Sequence, residues 1–329
     1  MLKSALNFLK SALFHVFRFV WRCMKFVYRY FRKRIRLTNN YKFIDRKKNS
    51  DTVLIILAGY KSFVWDSIFE RVEKFVPKNI DVCICSSGLY NEKLASIAAK
   101  NNWSYLSTNR NNVALVQNVA IKLHEKAKWI YKMDEDIFVT NGVFEILKQT
   151  YEKALDEKLY EPGFVAPLIP VNVYGHVRVL DKLGLLATYE KMFEKTGYTP
   201  FQKLKVWRDP EVAKFFWGNG NFVPSIDDMA IKFKNNDKIQ YRACPIRFSV
   251  GFVMFSRKYW QNLGMFEVGI SGVGMGVEEV QMCNRSTCNS EAIIVSENSV
   301  VGHLSFGPQN KGMKEYYLSN PEKFSFPNS

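Results

Sequence analysis

Three consecutive carboxylates, Asp134, Glu135 and Asp136, are the residues of this sequence best suited to chemistry. Aromatic and β-branched residues at 129–131 and 137–139 flank them, which predicts extended chain on both sides. In extended chain the side chains at i and i+2 project to the same side, so Asp134 and Asp136 are expected to point together with Glu135 turned away. Two converging carboxylates suit one hard divalent cation, Mg²⁺ or Mn²⁺. A solvated acidic turn is the alternative. The metal site is favoured because this Asp-x-Asp is the only one in the chain and ends an alternating strand–helix segment.

Polar and glycine residues also follow the earlier predicted strands. Apolar runs alternate with helical stretches, which predicts a parallel sheet with right-handed crossovers. The predicted strands are 52–59, 80–85, 103–106 and 129–133, and the predicted helices are 63–75, 91–100 and 113–127. Ligands bind such sheets at the carboxyl ends of the strands, where glycine permits close backbone approach and Asn or Ser can bond to a base or ribose. The candidate residues at these ends are Ala58, Gly59, Tyr60, Ser86, Asn109, Asn112, Asp134 and Glu135. The absence of a Walker loop and of Gly-x-Gly-x-x-Gly disfavours a plain NTPase or a dehydrogenase.

The segment from Tyr131 to Val139, Tyr-Lys-Met-Asp-Glu-Asp-Ile-Phe-Val, resembles the Asp-x-Asp metal motif of the GT-A glycosyltransferases, which use nucleotide-sugar donors. It is especially similar to the Asp-Asp-Asp-Val-Phe form of inverting β-1,3-transferases, whereas the overall layout resembles bacterial family-2-like enzymes. The second half has the matching order: a Gly-Phe-Val-Met-Phe strand at 251–255, a Gly-x-Phe-Glu turn at 264–267 and Gly-x-Gly-x-Glu-Glu at 274–279. The resemblance covers roughly residues 52–312. It implies an α/β fold of GT-A type, Rossmann-like with a mostly parallel central sheet.

The resemblance also implies roles for individual residues. A Glu-Asp pair opens a helix beside the acceptor in these enzymes; this chain has Glu278-Glu279 instead, so the catalytic base is Glu279, the matched position, or Glu278. Simple capping of a helix N-terminus is the alternative for this pair. A histidine near the C-terminus, here His303, can complete a metal shell with Asp136 and Asp134, and the implied cofactor is Mn²⁺ or Mg²⁺. The residues expected near the acceptor are Gly274, Met275, Gly276 and Glu278.

Two loop regions add candidates from their residue types. Trp217 lies in an aromatic and glycine-rich cluster at 215–221 and could stack on an acceptor sugar, although aromatic residues are more often buried in the core. Lys311 lies in the segment 307–312, which has the composition of a mobile flap, and is a candidate contact for the donor diphosphate.

The basicity of the chain is concentrated at its N-terminus. The formal charge is +16, and residues 1–44 carry eleven Lys or Arg and no Asp or Glu, so the remainder carries +5. Residues 2–36 place basic side chains on one helical face and apolar ones opposite, and no uncharged run there exceeds seven residues. Such a helix lies in an anionic membrane surface rather than crossing the bilayer. Packing on the body or on a partner protein is the alternative, and the segregated faces disfavour binding to nucleic acid.

These features predict a membrane-associating helix at 1–37, a linker at 38–50 and a glycosyltransferase domain at 51–329, with a donor-binding half at 51–150 and an acceptor-binding half at 151–329. The six cysteines fit no zinc site or disulfide scaffold, which indicates a reducing compartment. The expected function is metal-dependent, inverting transfer of a sugar to a membrane-associated glycan or glycolipid of polysaccharide, capsule or lipopolysaccharide type. The expected location is the cytoplasmic face of a bacterial inner membrane. The alternatives are a nucleotidyl- or phosphotransferase and a non-catalytic glycan-binding protein.

Overall fold

The structure, a computed structural model, describes residues 14–24, 27, 35–234, 238–269 and 276–326. Within them, a nine-stranded sheet and a separate two-stranded sheet are surrounded by helices. The strands are β1 (Tyr41–Ile44), β2 (Thr52–Leu57), β3 (Asp81–Ser87), β4 (Ser104–Thr108), β5 (Trp129–Asp134), β6 (Ile137–Phe138), β7 (Glu161–Leu168), β8 (Tyr241–Ala243), β9 (Phe252–Ser256), β10 (Glu291–Val300) and β11 (Gly302–His303). After a helical stretch at residues 14–24, the helices are α1 (Trp65–Phe75), α2 (Glu92–Lys100), α3 (Val113–Leu123), α4 (Val143–Asp156), α5 (Gly175–Leu183), α6 (Leu186–Met192), α7 (Lys205–Arg208), α8 (Pro210–Phe216), α9 (Ile226–Lys234), α10 (Arg257–Asn262), α11 (Val277–Cys288) and α12 (Asn310–Ser319).

The large sheet has the strand order β1-β4-β3-β2-β5-β9-β7-β10-β8. Strands β2, β3, β4 and β5 pair in parallel, as do β7 and β10. Strand β9 joins these two groups by antiparallel pairing with β5 and β7, so both groups run in the same direction, and only β1, β8 and β9 oppose them. The prediction of an α/β fold with a mostly parallel central sheet is confirmed. The halves predicted at 51–150 and 151–329 share this one continuous sheet.

The apolar runs of the first half become strands because helices cover both faces of the sheet there. Five of the six residues of β2 are buried, as are six of the seven residues of β3, including Cys83 and Cys85. Asparagine starts two of the connecting helices. The side chain of Asn91 accepts a hydrogen bond from the amide of Leu94, and that of Asn112 accepts one from the amide of Leu115.

The connections along the sheet reverse direction between β2 and β5. From β2 the chain moves outward through β3 to β4, and α3 then returns it to β5 on the other side of β2. Such a switch point leaves a crevice outside the carboxyl ends of the two strands. Leu57 pairs with Asp134 at the last position of the β2–β5 ladder, so residues 58–61 and 135–136 lie together at that crevice.

The small sheet brings the C-terminal region to the same place. His303 of β11 pairs with Ile137 of β6, and the amide of Leu304 donates to the carbonyl of Asp136. Beyond it, the C-terminal segment crosses α1: the hydroxyl oxygens of Ser67 and Tyr317 lie 2.6 Å apart. The residues that close the site from the C-terminal side are therefore fixed to the first half of the chain.

The N-terminal region differs from the prediction in one respect. Residues 41–44, inside the segment predicted as a linker, form strand β1 along the outer edge of β4. Residues 14–24 are helical and exposed, while the rest of the predicted amphipathic helix, apart from residues 27 and 35–36, lies outside the described residues. None of the helices in the described ranges combines the length and apolar character that a bilayer crossing requires.

The second half also departs from the sequence prediction at 307–312. The segment expected to be a flap forms a 3-10 helix at Gly307–Gln309 and the first turn of α12. The side chain of Gln309 causes this order, because its amide donates to the carbonyls of Val206 and Asp209 while its oxygen accepts from the amide of Phe306. Lys311 is exposed on that first helical turn.

Candidate active site

The three acidic residues at the end of β5 have three different environments. Strand β5 ends at Asp134, and Glu135 and Asp136 form a turn before β6 begins. The alternation of side chains that predicted a common direction for Asp134 and Asp136 holds only in extended chain, and the turn interrupts it. The two aspartates accordingly pair with different lysines, Asp134 with Lys132 and Asp136 with Lys61.

Glu135 supports the loop that follows β2. Its buried carboxylate accepts hydrogen bonds from the amides of Gly59 at 2.9 Å and Tyr60 at 2.8 Å, and from Nε1 of Trp65 at 2.6 Å. Glu135 was predicted as a donor contact, but its carboxylate is engaged by these protein donors. It therefore positions the Gly59–Tyr60 backbone.

Asp136 is the most enclosed of the three carboxylates, with a side chain 5% exposed. Oδ2 accepts a 2.5 Å hydrogen bond from Nζ of Lys61 and lies 3.4 Å from Nε2 of His303. Burial alone raises the pKa of Asp136, but the positive charge of Lys61 and the neighbouring His303 outweigh it, and the net pKa lies below the ordinary value. Asp136 is therefore ionised and balanced by Lys61.

His303 presents a defined ring nitrogen to Asp136. Nδ1 lies 3.0 Å from the carbonyl of Val171 and must donate to it, because a carbonyl oxygen only accepts. In the neutral ring Nε2 then carries a lone pair that faces a carboxylate oxygen. Two acceptors at this distance are favourable only with a proton or a metal cation between them. The pair can therefore hold a proton or a metal cation between its two acceptor atoms.

Trp217 is a structural residue. It was predicted as a platform for an acceptor sugar, but it is buried, 6% exposed, and its ring contacts those of Phe138 and Phe324. Its Nε1 donates to the carbonyl of His303 at 3.1 Å. The ring of Trp217 is packed between the small sheet and the C-terminal segment. Trp217 therefore supports the backbone of His303.

Asp134 faces a second charged cluster. Lys132, buried in β5, donates from Nζ to Asp134 Oδ1 at 2.6 Å and to the carbonyl of Val250 at 2.7 Å. The carboxylate of Asp134 remains 38% exposed. Sequence reasoning missed Lys132. Residues i and i+2 of a strand lie on the same face, and this spacing alone places Lys132 beside Asp134.

The two glutamates of α11 differ in their partners. Glu279 forms an ion pair with Arg247 at 2.5 Å and accepts from the amide of Val250 at 3.3 Å. Glu278 makes no side-chain hydrogen bond or ion pair to any other described residue, and neither acid forms a side-chain cap on the helix. Burial raises the pKa of Glu278, with Lys132 opposing and Asp134 adding to that effect. Burial also raises the pKa of Glu279, although Arg247 opposes it.

Several predicted donor residues have internal roles. The hydroxyl of Ser86 is buried and donates to the carbonyl of Leu89, and Asn112 caps α3 and donates to the carbonyl of Gly269. Ala58 is buried and its amide donates to the carbonyl of Cys85. Asn109 is exposed, with its amide bonded to the carbonyl of Asn40.

Tyr60 and Asn111 both present exposed polar groups at this edge. The hydroxyl of Tyr60, a residue 71% exposed, donates to Oδ1 of Asn111 at 3.2 Å, and Ser87 donates to the same oxygen at 3.0 Å. Gly88 permits this approach, because it has φ +87° and a Cβ there would lie 2.5 Å from Cβ of Asn111.

On the acceptor side, Gly274 and Met275 lie outside the described residues, whereas Gly276 directly precedes α11 with φ +91°.

The described residues contain no group of three or more His, Cys, Asp and Glu side chains that could hold a metal ion. Of the predicted ligands, only Asp136 and His303 are adjacent, because the turn at 135–136 directs Asp134 elsewhere. A two-residue site still fits Mn²⁺ or Mg²⁺, which are commonly held by one or two protein ligands together with substrate phosphates and water. The 3.4 Å separation of Asp136 and His303 lies within the span of two ligands on one ion.

No protein-family model and no curated protein matches the chain by sequence. Solved structures with a similar shape include the mannosyltransferase PcManGT from Pyrobaculum calidifontis in complex with GDP-Man and Mn²⁺, with 10% identity, a TM-score of 0.47 and coverage of 83% of this chain and 63% of that one. CMP:2-keto-3-deoxy-manno-octonic acid synthetase complexed with CTP has 9% identity, a TM-score of 0.41 and coverage of 83% and 100%. Glucosyl-3-phosphoglycerate synthase from Mycobacterium tuberculosis, in complex with Mn²⁺, UDP-Glc and phosphoglyceric acid, has 13% identity, a TM-score of 0.40 and coverage of 84% and 81%.

Proposed function

We propose that the protein is a metal-dependent glycosyltransferase that uses a nucleotide-sugar donor. The observation that carries the proposal is the pairing of Asp136 with His303 at the switch point between β2 and β5. The crevice at such a point is the usual ligand site of an open α/β sheet. Tyr60 and Asn111 offer exposed polar groups for a base or ribose beside it. A cation site next to a nucleotide site suits a donor that carries a diphosphate.

Asp136 and His303 are the residues that would hold Mn²⁺ or Mg²⁺. When bound, the cation neutralises the negative charge that develops on the departing nucleotide diphosphate. The chain itself buries the carboxylate of Asp136 and orients the imidazole of His303 through the carbonyl of Val171. It also supplies the ammonium of Lys61 as a further positive charge.

Glu278 is the favoured catalytic base. A base must accept a proton from the acceptor hydroxyl, and a carboxylate already paired with a guanidinium is a weaker acceptor. Glu279 is paired with Arg247, whereas Glu278 has no such partner among the described residues. Burial raises the pKa of both carboxylates, so the preference for Glu278 rests on its lack of a guanidinium partner among the described residues. This reverses the order that the resemblance implied, in which Glu279 held the matched position.

Inversion at the anomeric carbon is part of the proposal. Asp136 and Glu278 belong to different elements, the turn after β5 and the first turn of α11, and have separate partners. Two groups that act on opposite sides of the sugar, one on the leaving diphosphate and one on the incoming hydroxyl, suit a single in-line displacement. Asp134, held by Lys132, is available to contact the donor between them.

The proposed acceptor is a membrane-associated glycan or glycolipid. Along residues 14–24 the apolar side chains are exposed, for example Phe17 at 67% and Phe19 at 68%, and Arg18 and Arg22 occur in the same helix. An exposed helix of this composition binds the interface of an anionic membrane. Peripheral attachment to the cytoplasmic face of a bacterial inner membrane would bring the site to lipid-linked glycans of polysaccharide or lipopolysaccharide type.

A thermal-shift screen of nucleotide sugars and plain NTPs, with and without Mn²⁺, tests the proposed function. A ligand that binds only the native state stabilises it by RT ln(1 + [L]/Kd), so at least one nucleotide sugar should raise Tm when Mn²⁺ is present. Asp136→Asn should abolish that rise and the transfer reaction. Asp66→Asn is the matched control, because Asp66 is 82% exposed and pairs with Lys93 at the surface. Stabilisation by NTPs alone would favour a nucleotidyltransferase, and no response to any nucleotide would contradict both.

A further inference from the structure

One oxygen of Asp136 is contacted from two sides by nitrogen atoms. Nζ of Lys61 lies 2.5 Å from Oδ2, and Nε2 of His303 lies 3.4 Å from it. Nζ of Lys61 also donates to the carbonyl of Ser305 at 3.2 Å and lies 3.4 Å from its hydroxyl. Lys61 thus occupies a position beside Asp136 and His303 in which a bound cation would be expected.

The position of Lys61 is fixed by the residues before it. Glu135 accepts hydrogen bonds from the amides of Gly59 and Tyr60, and Lys61 follows them directly. Two adjacent acids therefore hold one loop: Glu135 binds its backbone amides, and Asp136 binds the ammonium group of Lys61. The side chain of Lys61 is only 18% exposed, unlike a freely solvated surface lysine.

We propose that Lys61 is a built-in counter-ion that competes with a divalent cation for Asp136. An ammonium in hydrogen-bond contact with Oδ2 and a divalent cation bound to the same carboxylate would repel strongly at this separation. Lys61 therefore holds Asp136 in the metal-free protein and leaves it when the cation binds. The inference rests on the proposed function for the identity of the competing ligand, a divalent metal ion.

Two consequences follow for binding. Metal binding to the nucleotide-free protein is weakened, because the Lys61–Asp136 pair must first be separated. The released ammonium lies at the switch-point crevice and can pair with the phosphates of a donor. Metal and donor should therefore bind with positive coupling, each tightening the other by the same factor.

A titration of Mn²⁺ into nucleotide-free protein, followed by the EPR signal of the free ion, tests the competition. Lys61→Met should bind Mn²⁺ at least about fivefold more tightly than the wild-type protein, a coupling of the usual size. Lys314→Met is the matched control. Lys314 is exposed on α12 near the ring of Phe63, so this variant removes the same charge without contact to Asp136. Unchanged or weaker binding by Lys61→Met, or no saturable Mn²⁺ binding by either protein, would overturn the proposal.

A second measurement uses the wild-type chain and does not depend on the folding of a variant. Acetylation of lysines, located by mass spectrometry, should be slow at Lys61 without metal and faster with saturating Mn²⁺, while labelling of Lys314 stays constant. Labelling of Lys61 that Mn²⁺ leaves unchanged or slows would reject the competition. Tighter Mn²⁺ binding by Lys61→Met, together with no nucleotide-sugar transfer by the wild-type protein, would reject the proposed function alone. Transfer by the wild-type protein, together with an unchanged Mn²⁺ affinity in Lys61→Met, would reject the role of Lys61 alone.

Discussion

Trp65 donates from Nε1 to the buried carboxylate of Glu135 at 2.6 Å, although the two residues are 70 positions apart in the chain. The indole belongs to the first turn of α1, and the carboxylate follows β5. The bond fixes the start of α1 against the turn that carries Asp136. The start of α1 and the turn after β5 are therefore both held by the hydrogen bond between Trp65 and Glu135, although neither residue is itself a proposed metal ligand.

Replacing Glu135 by Gln should destabilise the protein. A neutral amide cannot accept from all three N–H groups that now bond to the carboxylate, so the free energy of unfolding in urea should fall by about 2–3 kcal/mol. Trp65→Phe removes one donor and keeps most of the buried ring, so its loss should be smaller. Equal stability of Glu135→Gln and the wild type would show that the carboxylate does not hold the loop.

Glu278→Gln should lower kcat by about 10²–10⁴-fold, the usual contribution of a general base. Glu279→Gln is the matched comparison, and its smaller effect on kcat should come with a loss of stability because the ion pair between Glu279 and Arg247 is lost. Rates measured for both variants with one donor and acceptor decide between them. A larger kcat loss in Glu279→Gln would return the role of base to that residue.

The pH dependence of kcat/KM should report the raised pKa of Glu278. The base acts when deprotonated, so the rate is full above its pKa and falls as pH drops through it. Burial places that acid limb above the ordinary glutamate value of 4.5. In Glu278→Gln the residual rate should lose this limb. An acid limb that persists unchanged in Glu278→Gln would assign it to another group.

Gly302→Ala should disturb the support of His303. A Cβ at residue 302 would lie 2.4 Å from Cη2 of Trp217, and the indole is enclosed by other rings. Overpacking of this kind costs about 1–3 kcal/mol. Gly307→Ala is a control five residues away, where a Cβ meets no atom within 4 Å. Chemical denaturation of both variants should show a loss only for Gly302→Ala, and equal stabilities would argue against close packing there.

His176 should make the protein less stable as pH falls. Burial lowers its pKa from 6.5 to about 4, so between these values the unfolded chain binds a proton that the native state does not. The free energy of unfolding should therefore decrease by about 3 kcal/mol from pH 6.5 to pH 4 on account of this residue. His176→Gln retains a donor for the carbonyl of Asn172 and should flatten this part of the curve. His124, whose pKa is also lowered by burial, remains as a smaller source of the same slope.

Removing residues 1–34 should release the protein from anionic vesicles. The deletion should end there because Arg36 belongs to the body: its carbonyl accepts from Asn118, and its guanidinium lies 3.6 Å from Glu267. Sedimentation with vesicles should fall with rising salt for the full chain and be lost in the deletion, while nucleotide-sugar binding is retained. Continued sedimentation of the shortened protein would exclude the N-terminal helix as the attachment.

Local sequence patterns predicted the first half of the sheet well. The apolar runs that became β2, β3 and β5 are buried on both faces, and this environment leaves a clear signal in the sequence. The position of the acidic residues at the end of β5 followed from the same pattern. Their directions did not, because the turn at Glu135–Asp136 depends on bonds to Gly59 and Tyr60 that only the folded chain brings together.

Long-range partners account for most of what sequence reasoning missed. Lys61 contacts Ser305, 244 positions away in the chain, and Trp217 contacts His303, 86 positions away. Local spacing in the sequence predicts neither contact. Strand β1 was missed because its pairing with β4 satisfies an open sheet edge, a need set by topology and not by the polar composition of residues 38–50. Lys132 was the exception, since its place two residues before Asp134 indicated a shared face.

The bridge that Lys61 makes between Asp136 and Ser305 has a consequence for biosynthesis. It draws together stretches made early, midway and late as the ribosome works along the chain, so a nascent polypeptide stopped near residue 150 would carry the ammonium and the carboxylate without the imidazole. The proposed cation site is complete only once residues 302–305 have left the exit tunnel and docked. Slow codons or a bound chaperone over that late stretch would delay activity without altering a single residue of the earlier strands.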